Sequence, residues 1–154
     1  MYKNVPFCSE CRKVLIFGRI VSSLKRKLKE DILRGCFFKN NTFRPSRIGQ
    51  WYRAVSLLYN NRCIISGDTK RVVCHHLNAL SSFPELGLDP FNGVCISRDL
   101  HFKFHTRFDS FKGTCTREDF ALFFKEETGR VLNLEDYMNP TLKDRYAGGG
   151  HAIG

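Results

Sequence analysis

Apolar residues recur at helical spacing in several places along the chain. In SSLKRKLKEDILR, residues 22–34, Leu24, Leu28 and Ile32 follow Ile20 at intervals of four, which predicts a helix with one apolar stripe. Ser22 or Ser23 is placed to cap its start and Gly35 to end it. A second helix is predicted over 48–59, where Ile48, Trp51, Val55, Leu58 and Tyr59 share a face, with Trp51 as a core residue. Between the two, Asn40-Asn41, Pro45 and Gly49 break the period and predict loop. From Arg62 the pattern shortens. Cys63–Ile65 and Val72–Cys74 are short apolar runs around SGDTK, which predicts strand, turn and strand, and Val94-Cys95-Ile96 predicts a third strand. The intervening NALSSFPELGLDPFNG has a loop composition.

Ser97 is a plausible N-cap for the segment that follows, in which His101 and His105 stand one helical turn apart. TREDFALFFKEETG carries its own boundaries: Thr116 with Asp119 three residues on as a cap, Phe120, Phe123 and Phe124 as the apolar side, and Gly129 as the stop. A last short helix falls within 134–145, and AGGGHAIG is a mobile tail in which His151 is incidental. Helices and a few short strands in this order predict an α+β fold.

Composition adds little to the fold but narrows the partners. With 154 residues the chain fits one domain with a small appendage, and most of its 14 phenylalanines are expected in the core. No stretch is long and apolar enough to span a bilayer, and the start, MYKNVPFCSECRK, lacks a signal-like run, so the expectation is a soluble cytoplasmic protein. Seven cysteines, an odd number, predict buried thiols or metal ligands rather than a complete disulfide framework. Residues 1–53 hold 13 Lys or Arg against 3 acids, and residues 54–154 hold 12 against 12, so the whole net charge of +10 sits in the first third. Such a segment fits a polyanion, or is a solvated basic face. The residues expected to contact phosphate are Lys25, Arg26, Lys27, Lys29, Arg44 and Arg47. CSEC at 8–11 is either half of a structural zinc site at Cys8 and Cys11, with Cys36 and one more ligand, or two reduced thiols in a turn.

Four of the five histidines lie in one segment: His75, His76, His101 and His105. Adjacent strand residues point to opposite faces, so His75 and His76 cannot share a task while the strand stays regular. Histidines at i and i+4 share a helix face. Three imidazoles arranged in this way can hold one divalent ion with positions open for water and phosphate, leaving the fourth as a base. Asn92 enters the third strand, where its amide can bond the far nitrogen of that base and fix its tautomer.

The pattern HHL, then NGVCIS, then LHFKFH resembles the HNH, or ββα-metal, nucleases, with the H-H…N…H-x-x-x-H spacing of colicin DNase domains. WYRAVSLLYNNRCIISG and FHTRFDSFKGTCTREDFALFF are similar to segments of phage-type HNH homing endonucleases, and the resemblance spans about 48–129. It implies a ββα-metal core over 48–130, preceded by a basic DNA-binding arm over 1–47 and followed by a helix and tail over 131–154. It assigns His75, His101 and His105 to the metal, His76 to the general base and Asn92 to its orientation. The activity implied is hydrolysis of double-stranded DNA to 5′-phosphate and 3′-hydroxyl ends by a homing endonuclease or nickase of a phage-infected or bacterial cell. The alternatives are a non-specific or structure-specific nuclease and a silent nucleic-acid-binding protein. Arg71, Arg98 and Arg107 are the arginines available near the phosphate. Abundance favours Mg or Mn, whereas three imidazoles favour Ni, Co or Zn. Relatives with two C-x-x-C zinc pairs have them where this chain reads Cys63, Ser66, Ser97 and Leu100, so no zinc is expected there. Packing of Ile64, Ile96 and nearby phenylalanines must take its place.

Overall fold

The computed structural model describes residues 9–33 and 45–147. These form helices α1 (Ser9–Leu33), α2 (Pro45–Leu58), α3 (Arg98–Phe108), α4 (Arg117–Thr128) and α5 (Pro140–Ala147), and one antiparallel hairpin of β1 (Val72–His76) and β2 (Gly93–Ser97). The fold is therefore α+β. None of the described helices is long and apolar enough to cross a membrane.

The first helix begins well before the expected Ser22. Val14, Phe17, Val21 and Leu24 are buried at helical spacing, so the core stripe extends N-terminally from Leu24, while the side chains of Leu28 and Ile32 lie outside the described residues. Ile20 packs at its edge. The backbone from Ser9 is already helical, so Cys11 lies on the first turn of α1 rather than in a separate turn. Cys8, Cys36 and the side chain of Cys11 lie outside the described residues, and so does the zinc question they raise. α1 packs on α2 and touches α5, and its buried residues join the same core as Trp51, Ala54, Val55 and Leu58 of α2.

The expected strand at Cys63–Ile65 is a turn. Cys63 N–H bonds the Asp68 carbonyl, Gly67 N–H returns to the Cys63 carbonyl, and the chain has just passed through Asn60 and Asn61 at positive φ. The run still reaches the sheet by one bond, Ile64 N–H to the Cys95 carbonyl at 3.1 Å. The true partner of β1 is the third apolar run, in the register Val72↔Ser97, Cys74↔Cys95, His75↔Val94 and His76↔Gly93. The loop between the strands contains 3-10 turns at Pro84–Leu86 and Pro90–Asn92.

At Cys63, Ser66, Ser97 and Leu100, two hydrogen bonds hold the chain. Cys63 Sγ accepts from Ser66 N at 3.3 Å, and Ser97 Oγ accepts from Leu100 N at 3.4 Å. The second is the N-cap of α3, which follows β2 without a linker and lies against both strands. Thr116 and Asp119 form a reciprocal capping box on α4, and Gly129 ends it at φ 71°, as the local sequence predicts. Ile64, Ile96, Phe104, Phe120, Phe123 and Phe124 are buried together. Burial of each Phe stabilises the fold by about 1.5–3 kcal/mol. The 134–145 helix is divided: a 3-10 turn at Leu134–Tyr137, then α5 starting at Pro140. Cys63, Cys74, Cys95 and Cys115 are free and buried.

Candidate metal centre

β1 delivers His75 and His76 to opposite faces of the hairpin. His75 is 3% exposed and its ring sits edge-on to His101, His105 and Phe104 and against Phe120. α3 supplies the other two imidazoles from one face, with His101 Nε2 and His105 Nε2 3.1 Å apart. One ligand nitrogen from each of His75, His101 and His105 falls within a 4.8 Å group. His75 Nε2 is buried and has no hydrogen-bond partner among the described residues. A buried imidazole nitrogen without a partner is costly, and the three residues, with one ring nitrogen each within reach of the others, fit a divalent ion.

Burial holds two of these rings, His75 and His101, below the ordinary imidazole value. Burial, and then the fields of His101, His105 and His76, hold His75 well below the ordinary imidazole value of 6.5. Burial and the neighbouring His105 bring His101 down to about 4, partly opposed by Asp109. Neutral imidazoles offer lone pairs, which is the form that ligates metal.

Asp109 is the residue that the pattern did not single out. Its side chain is fully buried, and Oδ1 accepts from His105 Nδ1 at 2.8 Å and from Phe111 N at 3.0 Å. Oδ2 has no partner. Burial by itself would raise the Asp109 carboxyl, but the His105 bond and the backbone of the 111–114 turn outweigh it and hold the group below its usual value. The turn is strained: Ser110 and Phe111 have φ of 47° and 61°, and such residues cost of order 1–3 kcal/mol each. Phe111 stacks on the His105 ring at 5.4 Å. Ligand atoms of His105, Asp109 and Cys115 also form a 4.8 Å group. Burial and the nearby Asp109 and Asp119 push the Cys115 thiol up to about 12. The i, i+4 spacing of His105 and Asp109 was the available signal, masked because FDSFKG has the composition of a plain turn.

His76 is held differently. Its ring lies flat on Trp51, centroids 3.7 Å apart and 3° from parallel, and its Nε2 is 2.9 Å from the Gly87 carbonyl. A carbonyl only accepts, so Nε2 carries the proton and Nδ1 is the basic nitrogen. Burial lowers the His76 imidazole, against a smaller upward pull from the Gly87 bond. The expected bond from Asn92 to His76 is not made. Asn92 Oδ1 accepts from Asn78 N, and its Nδ2 donates to the Asn78 and Leu86 carbonyls. The amide is used to close the neck of the 77–92 loop, where Leu77 N–H also bonds the Asn92 carbonyl. Leu86, whose carbonyl Asn92 bonds, precedes Gly87, whose carbonyl faces His76.

Lys25 and Arg26 are exposed on α1, and Arg47 is half-buried on α2. Arg44 and the side chains of Lys27 and Lys29 lie outside the described residues. Arg71, at φ 54°, is 3.9 Å from Asp99, and its carbonyl accepts Arg98 N–H at the hairpin end away from the His76↔Gly93 pair. Arg107 is paired with Glu126 at 2.7 Å and lies over the Phe108 ring. No family model matches this chain, and neither a curated protein nor a solved structure shows significant similarity to it.

Proposed function

We propose that the chain is a metal-dependent DNA endonuclease of the HNH type. The observation that carries this reading is the convergence of His75, from β1, with His101 and His105, from α3, leaving one buried nitrogen without a partner. The order of a hairpin followed at once by a helix, with histidines at the end of the first strand and along the helix, is that of a ββα-metal core. His75, His101 and His105 hold the ion. When bound, a divalent cation supplies Lewis-acid polarisation of the phosphate and neutralises charge on the leaving oxygen. Three neutral imidazoles suit Zn, Ni or Co, while Mg or Mn is favoured by abundance. His76, its proton fixed on Nε2 by Gly87, presents Nδ1 to take a proton from the attacking water. Trp51 and the Asn92-closed loop hold that ring in place. The products carry 5′-phosphate and 3′-hydroxyl ends, and a homing endonuclease or nickase is the subtype favoured by the resemblance in the motif.

One observation favours a second reading. His76 is stacked and hydrogen-bonded as a structural histidine is, on the strand face opposite His75. A nucleic-acid-binding protein that keeps the ion but does not turn over would have this arrangement. Plasmid cleavage separates the two. The expected result is nicking or linearisation with Mn²⁺ or Mg²⁺, abolished by EDTA and by His76→Ala. Retained DNA binding with no cleavage under any divalent metal would leave the silent protein as the answer.

A further inference from the structure

Three neutral imidazoles around a divalent cation leave a buried double positive charge with no anion among the ligands. A carboxylate stands directly behind one of them. Asp109 Oδ1 is 2.8 Å from His105 Nδ1, on a side chain with no exposed surface, and among the described residues no lysine or arginine is paired with it. His105 Nδ1 must donate to that oxygen, so its lone pair lies on Nε2, the nitrogen that faces His101 at 3.1 Å. The same Oδ1 takes the Phe111 N–H, which ties the strained 110–111 turn and the Phe111 ring to the orientation of His105.

We infer that Asp109 is a positioning residue of the three-histidine centre: it fixes His105 as an Nε2 ligand and supplies, through that ring, the negative charge the centre lacks, and so sets its affinity for a divalent cation. The inference rests on the reading of the centre as a metal site but not on DNA cleavage. Partners of this kind, a carboxylate behind a ligating histidine, typically change metal affinity by roughly 10–100-fold when removed.

The test uses the full chain and Zn²⁺ as probe. Calorimetry is expected to give one ion per wild-type chain, with binding lost in His101→Ala and weakened about 10–100-fold in Asp109→Asn. Asn keeps the shape and an accepting oxygen but removes the charge. Nitrogen-15 chemical shifts of His105 give a readout that a purely structural Asp109 would not move. In metal-free wild type, Nδ1 is expected to be the protonated nitrogen and Nε2 the bare one, with Asp109→Asn shifting the balance between them. The wild-type spectrum still tests the Nε2-ligand tautomer if the variant does not fold. Binding lost in His101→Ala but unchanged in Asp109→Asn would overturn the inference alone. So would a reversed tautomer, or a second ion lost in Cys115→Ser, since Asp109 would then be a ligand itself. A wild-type chain that binds no ion would remove the metal reading and this inference together.

Discussion

At the residue scale, the decisive feature is that burial, partial or complete, lowers the imidazoles of His75, His76 and His101. In the unfolded chain each would titrate near 6.5, whereas His75, His76 and His101 are all depressed when folded, His101 to about 4. The unfolded state therefore binds more protons below 6.5, and folding loses stability as pH falls from there toward the folded values. Asp109 is held below the ordinary carboxylate value, so its contribution is lost only at lower pH. For the metal-free protein, the urea midpoint is expected to fall between pH 7 and pH 5, and a midpoint that does not move would show that these rings titrate in the fold as they do in the unfolded chain. His75 and His76 also show how far local sequence goes. Their alternation across the strand was legible, because it follows from backbone geometry. What each faces was not: Trp51 comes from α2 and the Gly87 carbonyl from the long loop.

At the element scale, the hairpin is set by contacts outside it. Gly93, paired with His76, lies where β2 presses on α2. A Cβ there would meet a Val55 methyl and come within 2.7 Å of Trp51 Cζ2. Gly93→Ala is therefore expected to destabilise the fold by about 1–3 kcal/mol, since the clash is with packed side chains that have no free space to retreat into. Chemical denaturation checks this, and a midpoint equal to wild type would mean the strand can lift from the helix at no cost. α4 was the most legible element because its limits are set within a few residues, by Thr116, Asp119 and Gly129. The Cys63–Ile65 run was misleading for the opposite reason. Its apolar residues are buried as a strand's would be, but the turn bonds to Asp68 and Gly67 take the place of a ladder.

At the scale of the whole molecule, charge and chemistry are separated along the chain. The net +10 lies in residues 1–53, while the histidines lie in a segment of balanced charge. Lys25 and Arg26 project from α1, whose other face is fixed in the core through Phe17, Val21 and Leu24. If that charge holds DNA, affinity should fall by about 0.9 log units per log unit of salt for each phosphate contact. Replacing Lys25 and Arg26 by Gln should reduce the slope by about 2. A binding titration across salt concentrations measures it, and a slope unchanged in the double variant would show a solvated surface with no part in binding.

Sequence alone determined what depends on near neighbours: the helical stretch around α2, the capping of α3 and α4, the shared face of His101 and His105, and the opposition of His75 to His76. It also determined the charge imbalance, which is only a count. The tertiary structure decided which apolar run pairs with β1, that Asn92 serves the loop neck, that His76 is backed by Trp51, and that Asp109 stands behind His105. The physical reason is that periodicity and capping are encoded within one or two turns of chain. The partner of a buried polar atom depends on which distant segments the core brings within 3 Å.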